Sequence, residues 1–285
     1  MFTYNKMIIC NLTGGFGNHL LCYFLGCILA EKLNKKIYIN SNAIKNDSLS
    51  QRKDTRETIY KVVNIQYISN KFYKNKDVKI NSIEEYLNIL SRKLDDYLLN
   101  RNFIIDIIRA DSLSFYIDYL DIIKKYIILN NRKNENSIVI SLRLGMGTNE
   151  MAVPSPFENE LRLPFEYYKK AIEYFMLMNK NINNLIICSD NFTDDFICNF
   201  KIYNNLNIIF CSDKNTLEQF EYIVSADYFI SSNSSFSLIG AILNTSGITT
   251  IPNFKESNAV YPGKDNSRYS DILNINSNNC VKILL

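Results

Sequence analysis

The second half of the chain alternates short β-branched runs with amphipathic segments, and this alternation constrains the fold more than any other feature. The strand-like runs are "SIVISLR", "NLIICSD", "NIIFCSD", "DYFISS" and "GITTIPN". Segments with helical spacing of apolar residues, such as "PFEYYKKAIEYFMLMN" and "NTLEQFEYIVSA", lie between them. Strands and helices in strict alternation predict a parallel sheet with helices on both of its faces.

The beginning of the chain repeats this pattern on a smaller scale. "KMIICNL" predicts a buried strand, a glycine turn follows it, and we expect a helix from about Asn18 to Leu33. "KKIYIN" predicts the second strand. The chain therefore opens with a β-turn-α-β unit of its own, which indicates a second parallel sheet.

Between these two regions, residues 41–131 show long charged segments with helical periodicity, such as "SIEEYLNILSRKLDDYLLN". We interpret them as a helical insertion that covers the first domain. The polar run "NNRKNEN" is the best candidate for a linker. The predicted fold class is therefore α/β, with two Rossmann-like domains facing a cleft, at residues 1–132 and 133–285.

Composition excludes several classes of function. The 285 residues include 32 basic and 29 acidic ones, and the net charge of +3 is too small for general binding to nucleic acid. No apolar run approaches the roughly 18 residues of a membrane span, and no secretory signal is evident, so we expect a cytoplasmic protein. The seven scattered cysteines contain no C-x-x-C pair, and the single histidine disfavours a metal site of nitrogen and sulfur ligands. We expect the cysteines to be buried reduced thiols.

Ligands of open parallel sheets bind outside the carboxyl ends of the strands. In "SSNSSFS", five serines surround one asparagine where a strand ends and a helix begins. Hydroxyls and helix N-terminal amides would converge there, which favours a phosphate or diphosphate site. The alternative is a helix N-cap with additional serines.

The segment "SLRLGMG" places Arg143 at the end of a buried strand. A guanidinium facing the serine-rich turn would hold a diphosphate in a bidentate grip, whereas the alternative is a structural salt bridge with a neighbouring acid. Gly145 and Gly147 would let the backbone approach a ligand closely.

Two further strands end in Ser-Asp, at Asp190 and Asp213. Asp190 is a candidate for binding a ribose or a base, whereas we expect Asp213 to cap the helix that follows it. Glu218 and Gln219 lie at the beginning of that helix, and a carboxylate there would read the two adjacent donors of a guanine.

The glycine turn "TGGFGNHLL" does not match the dinucleotide fingerprint G-x-G-x-x-G. Leu20 occupies the position of the third glycine, and the second strand ends in Asn40 rather than in an acid that would hold a ribose. We expect a tight turn that exposes Asn18 and His19 at a helix N-terminus. His19 is either a catalytic group or a satisfied polar residue.

Four segments together resemble the bacterial alpha-1,2-fucosyltransferases of glycosyltransferase family 11, which have a GT-B fold. "GGFGNHLLCYFLG" is similar to the G-G-x-G-N-Q opening of that family, and "SNSSFSLIGAILN" is similar to its S-N-S-S-F-S segment. "PFEYYKKAI" and "CSDN" follow in the expected order, so the resemblance covers nearly the whole chain. The H-x-R-R-x-D segment of the family differs here, because Ser141, Leu144 and Met146 replace its histidine, second arginine and aspartate.

The resemblance implies inverting transfer of L-fucose from GDP-fucose to a hydroxyl of a galactose-containing surface glycan, such as a lipopolysaccharide, O-antigen or capsule precursor. It implies a role for Arg143 on the donor diphosphate. It further implies that Gly14, Gly15 and Gly17 form the turn that presents Asn18 and His19 to the sugar or the acceptor. Taken with the residues singled out above, the expected donor-binding residues are Arg143, Gly145, Asp190, Glu218, Gln219, Asn233, Ser234, Ser235, Phe236 and Ser237.

No pair of acids of the D-x-D type ends a strand, so we expect a metal-independent reaction without a cofactor. His19 is a candidate general base, and Glu150 and Glu158 are its rivals. The expected partners are a nucleotide sugar and a glycan acceptor, with no nucleic acid and at most peripheral contact with the inner membrane. Two alternatives stay open, which are a transferase for another nucleotide sugar and a non-catalytic homologue that binds sugar nucleotides.

Overall fold

The computed structural model describes residues 6–40, 53–63, 66–68, 77–91, 100–107, 114–130, 134–144, 163–189, 192, 195–253 and 280–284. The chain forms two compact units, Met1–Leu129 and Asn130–Leu285. No helix among the described residues has the length and apolar character needed to cross a membrane.

The first unit contains a five-stranded parallel sheet in the order β3-β2-β1-β5-β4. Its described strands are β1 Met7–Cys10, β2 Lys36–Asn40, β3 Gln66–Ile68, β4 Val78–Ile80 and β5 Phe103–Ile105. Its described helices are α1 Phe16–Leu33, α2 Lys53–Val62, α3 Ile83–Ser91, α4 Ser114–Ile117 and α5 Leu120–Lys125.

The helical insertion predicted for residues 41–131 contains helices α2 to α5, but it also supplies β3, β4 and β5. The prediction missed these strands, and to that extent it is corrected. Each of the three is only three residues long, so none shows the alternation over four to eight residues by which a strand is recognised.

Helix α1 forms the core of the first unit. Every residue from Phe16 to Ala30 is buried except Asn18, as expected for a helix that is apolar on all sides. A Cβ at Gly26 would lie 2.3 Å from the Cys10 sulfur, so the glycine allows α1 to approach β1 closely. On its other side, the buried hydroxyls of Tyr86 and Tyr116 donate to carbonyls of α1 at 2.8 and 3.2 Å.

The second unit contains a six-stranded parallel sheet in the order β11-β10-β9-β6-β7-β8. Its described strands are β6 Ser137–Leu142, β7 Asn184–Ser189, β8 Asn207–Phe210, β9 Tyr228–Ile230, β10 Ile248–Asn253 and β11 Cys280–Leu284. Its described helices are α6 Phe165–Met178, a 3₁₀ helix Asp195–Ile202, α7 Thr216–Val224 and α8 Ser235–Leu243.

Both faces of this sheet are covered. One core joins Ile138, Ile140 and Ile230 to aromatic residues of α6 and the 3₁₀ helix, and another joins Val139 and Phe229 to α7. Neighbouring residues of a strand therefore point into opposite cores, which explains the continuous apolar runs of the sequence. The predicted α/β class with two Rossmann-like parallel sheets is confirmed.

Five of the described cysteines are buried free thiols, as predicted, but Cys198 is exposed. It lies on the 3₁₀ helix, of which only Ile197 and Phe200 are buried against the sheet. Burial raises the pKa of the Cys10 thiol, and its hydrogen bond with Cys22 raises it further. These buried thiols act as small apolar core residues.

Substitution of Gly240 by Ala is expected to destabilise the protein. A Cβ there would lie 2.3 Å from Cγ2 of Ile223, whose branched side chain is buried and has little freedom to move. Overpacking outweighs the gain in helix propensity, and the net loss should reach about 2 kcal/mol. Denaturant unfolding measures it. In the double variant with Ile223→Ala the two losses should not add, and strict additivity would contradict the close contact.

Lys35 should make stability depend on pH in the alkaline range. Its ammonium donates to the Arg101 carbonyl at 2.8 Å and lies 5.3 Å from the centroid of the Phe103 ring. Partial burial and the charge of Lys6 lower the pKa of Lys35 to about 8, from an ordinary value of 10.5.

Between about pH 8 and pH 10.5, Lys35 is protonated in more of the unfolded chains than of the folded molecules. The free energy of unfolding should therefore rise with pH across this range. The measurement is urea unfolding of the wild type and of Lys35→Met at intervals across that range, with a reductant present. The difference between the two proteins should grow with pH. A constant difference would contradict the lowered pKa.

Candidate functional site

The strand order of the second unit defines where a ligand would bind. From β6 the chain adds β7 and β8 on one side, then crosses to add β9, β10 and β11 on the other. The switch point therefore lies between β6 and β9, and ligands of such sheets bind outside the carboxyl ends at this point. The segments that follow β6 and β9 contain Arg143 and the serine-rich turn, which we define as Ser231–Ser237.

Strand register places these two segments side by side. Ile140 pairs with Ile230, and the third residue beyond each partner is Arg143 and Asn233, respectively. Arg143 is half-buried. The fold thus brings together the two segments that the sequence singled out separately.

Three hydroxyls hold the serine-rich turn in shape. The Ser234 hydroxyl accepts from the amide of Ser237 at 3.2 Å and caps α8. The Ser237 hydroxyl accepts from the amide of Ser232 at 2.8 Å, and the hydroxyls of Ser232 and Ser234 lie 3.2 Å apart. The capping alternative is therefore correct for Ser234. Beyond the cap, the amides of Ser235 and Phe236 belong to the first turn of α8.

Asn233 contributes a buried polar atom to the same turn. Its side chain is only 5% exposed, and among the described residues its Oδ1 atom has no hydrogen-bond partner. The hydroxyl of Ser231, which is fully buried, is in the same situation. A buried polar atom without a partner costs about 1–3 kcal/mol.

Tyr167 of α6 braces the strand that leads into the turn, and sequence reasoning missed it. Its buried hydroxyl lies 2.8 Å from the Ser231 carbonyl and 3.2 Å from that of Thr250, and it donates to both. The Tyr167 hydroxyl thus connects α6 to the first residue of the serine-rich turn and to the middle of β10. The only signal in the sequence is a tyrosine on the apolar face of a predicted helix.

Phe236 packs against α7. Its ring centroid lies 5.3 Å from that of Phe220 on α7, and the residue is half-buried. Its side chain therefore has a packing role, and a contact with the donor through this residue stays a prediction.

The start of α7 corrects the role expected for Asp213. Asn215 caps α7, since its side-chain oxygen accepts from the backbone amide of Glu218 at 3.0 Å. In return, the Glu218 carboxylate accepts from the backbone amide of Asn215 at 3.1 Å. Asp213 instead pairs with Lys214 at 2.8 Å and is largely exposed. This is a capping box, whose N-x-x-E signal was present in the sequence. The prediction of Asp213 as the cap is wrong.

Gln219 also has a local role. Its side-chain amide donates to the carbonyls of Cys211 and Lys214 at 3.3 and 3.2 Å, which holds the loop between β8 and α7. Recognition of guanine by Glu218 or Gln219 stays a prediction, and it would compete with these contacts.

In the first unit, the glycine turn has the geometry that its sequence predicts. Gly14 has a φ of +82°, in the left-handed region, and a Cβ there would lie 2.8 Å from Nδ2 of Asn18. Gly15 is the N-cap of α1, and Gly17 is buried in its first turn. The half-buried Asn18 side chain thus folds over Gly14, which excludes larger residues at that position.

His19 is completely buried, so the prediction that the turn exposes it is wrong. The physical reason is that α1 lies inside the unit, and its first turn is already surrounded by packed residues on all sides except that of Asn18. A catalytic role of His19 stays a prediction.

Five predicted residues lie outside the described part of the chain: Gly145, Gly147, Glu150, Glu158 and Asp190. Within the described part, no group of three or more His, Cys, Asp or Glu residues could hold a metal ion. A metal-independent reaction stays a prediction.

Removal of the Ser234 hydroxyl should destabilise the protein more than removal of the Ser235 hydroxyl. Ser234→Ala loses the cap of α8, and loss of such a cap costs about 0.5–2 kcal/mol. Ser235→Ala is the matched control, because its hydroxyl makes no hydrogen bond with the described residues, and we expect a change within about 0.5 kcal/mol. Chemical unfolding of both variants measures the difference. Equal losses would argue against the capping bond.

No family model and no curated protein sequence matches the chain. Its structure is similar to that of POFUT1 in complex with GDP-fucose, with 10% identity, 86% of this chain and 96% of that chain covered, and a TM-score of 0.48. It is also similar to a mutant FUT1 of Arabidopsis thaliana in complex with GDP, with 8% identity and a TM-score of 0.45. That match covers 86% of this chain and 69% of the other chain. The third similar structure is ADP-heptose lipopolysaccharide heptosyltransferase II of E. coli. The sequence identity is 10%, the match covers 98% of this chain and 90% of that chain, and the TM-score is 0.42. All three similarities are weak, so function has to be inferred from the residues of this chain.

Proposed function

We propose that the protein is an inverting glycosyltransferase that binds the diphosphate of a nucleotide sugar at the switch point of its second unit. One observation carries this proposal. The segments that leave the carboxyl ends of two adjacent strands, β6 and β9, contain Arg143 and the capped start of α8, respectively. Helix N-terminal amides and a guanidinium are the groups that bind phosphate oxygens in proteins.

The buried oxygen of Asn233 supports a ligand that is more than a simple anion. An oxygen acceptor would repel phosphate, but it would bind a hydroxyl of a ribose or of a sugar. A nucleotide sugar has both kinds of group, with hydroxyls on either side of its diphosphate. The chemistry of the turn therefore matches this class of ligand.

For the donor and the acceptor, we propose transfer of L-fucose from GDP-fucose to a galactose-containing surface glycan. The support is the resemblance of "GGFGN" and "SNSSFS" to the alpha-1,2-fucosyltransferases. In this proposal the second unit binds the donor and the first unit binds the acceptor. The protein would act in the cytoplasm, with at most peripheral contact with the inner membrane.

The geometry explains how such a site would promote the reaction. Negative charge develops on the diphosphate as its bond to the anomeric carbon breaks. Arg143 and the amides of Ser235 and Phe236 would stabilise that charge, and donors already in place need no rearrangement at the moment of reaction. They would supply the charge stabilisation that a metal ion provides in other transferases.

Arg143→Ala should weaken binding of GDP by about 10- to 150-fold, since hydrogen bonds to charged groups contribute about 1.5–3 kcal/mol. Isothermal titration with GDP, UDP and ADP measures both the loss of affinity in the variant and the preference of the protein for one nucleobase. Lys180→Ala is the matched control, because it also removes one positive charge, but from an exposed position before the amino end of β7.

Full GDP affinity in Arg143→Ala would contradict the assignment of the diphosphate. Tighter binding of UDP or ADP than of GDP would contradict GDP-fucose as the donor and favour a sugar linked to the nucleotide that binds more tightly. Absence of binding to all three by the wild type would contradict the proposed function as a whole.

A further inference from the structure

The sheet of the first unit has a switch point of its own. From β1 the chain adds β2 and β3 on one side, while β5 lies on the other side with β4 beyond it. The crevice therefore lies between the carboxyl ends of β1 and β5. The amide of Asn11 donates to the Ile105 carbonyl at 2.9 Å and spans these two strands. This edge is where a ligand of the first unit would bind.

Asp106 follows β5 at this point. Cys10 pairs with Ile105, so Asn11 and Asp106 are the next residues on the two neighbouring strands. The backbone amide of Asp106 donates to the Ile80 carbonyl at 3.0 Å, which fixes its main chain to β4. Asp106 itself is exposed. It is therefore a carboxylate on a fixed backbone at the open edge of the sheet, beside the residue that leads into the glycine turn.

Asn11 is held on several sides. In addition to the bond that its backbone amide donates, its backbone carbonyl accepts from the Cys22 thiol at 3.6 Å. Its side-chain oxygen accepts from the side-chain amide of Asn40 at 2.8 Å. Asn40 is only 4% exposed. The buried amide thus fixes the orientation of the Asn11 side chain at the switch point, whereas Asn11 itself is half-buried.

We infer that Asp106 is the general base of the proposed transfer and that Asn11 binds the acceptor sugar beside it. The inference rests on the proposed function and adds the residue that activates the acceptor. The carboxylate takes the proton of the attacking hydroxyl as the oxygen forms its bond to the anomeric carbon. The bond from that carbon to the diphosphate breaks, and the nucleoside diphosphate leaves with the electron pair. Asn40 is a positioning residue that acts through Asn11.

Accessibility distinguishes Asp106 from His19. A general base must reach the hydroxyl that it deprotonates, directly or through one water molecule. His19 is completely buried, whereas Asp106 is exposed at the carboxyl edge of its sheet. The inference therefore gives the role of the base to a residue that the sequence did not single out.

The test uses Asp106→Asn, which keeps the shape of the side chain but cannot accept the proton. With GDP-fucose and a galactose-terminated oligosaccharide as probes, kcat should fall by about 10²- to 10⁴-fold. The affinity for GDP and the melting temperature should stay those of the wild type. Asp118→Asn is the matched control, since Asp118 is an exposed aspartate of the same unit, and it should retain full turnover.

Chemical rescue separates a base from a structural residue. Turnover by Asp106→Ala should rise on addition of formate, which supplies a carboxylate to the vacated position, whereas the wild type should not respond. Asn11→Ala should raise KM for the oligosaccharide with little change in GDP affinity.

Each outcome has a distinct meaning. Full turnover by Asp106→Asn would overturn the inference and leave the proposed function intact. A loss of turnover without rescue by formate, or with a loss of GDP affinity, would also overturn it. A wild type that neither transfers nor hydrolyses GDP-fucose, UDP-sugars or ADP-sugars would overturn the proposed function together with the inference that rests on it.

Discussion

Parallel pairing of the strands is the constraint on which the rest of the structure depends. Because the strands of each sheet run in the same direction, their carboxyl ends lie along one edge, and the loops that follow them lie next to one another. In the second unit the segments after two adjacent strands contain Arg143 and the serine-rich turn, and in the first unit they contain Asn11 and Asp106. Residues far apart in the sequence thus become neighbours through backbone hydrogen bonds alone. Function is proposed at these two edges for that reason.

The sequence predicted the strands with strong β-branched runs, such as 137–142 and 184–189, because burial on both faces leaves an apolar signal along the whole strand. It did not predict β3, β4 and β5, which are too short for a periodic pattern and gain their stability from neighbouring strands. The serine-rich turn was found because serine at a helix start has a clear physical role. Tyr167 was not, since nothing in its local sequence shows which carbonyls its hydroxyl meets.

His19 and Asp106 illustrate the same limit from two sides. His19 attracted interest because it is the only histidine and follows a glycine turn, but the depth of α1 within the unit makes it inaccessible. Asp106 follows a strand of three residues that had no pattern, so its place at the switch point became visible only through strand register. Residue type can be read from a sequence, whereas exposure depends on contacts between distant segments.

The buried oxygen of Asn233 has a consequence for how this protein evolves and how it can be engineered. A buried acceptor without a hydrogen-bond partner lowers the stability of the protein. Selection for thermal robustness alone would replace it with an apolar residue and fill the site with packed side chains. Under the proposed function, asparagine at this position keeps the protein less stable than its fold permits, and a thermostable variant obtained without selection for ligand binding would be expected to lose that binding first.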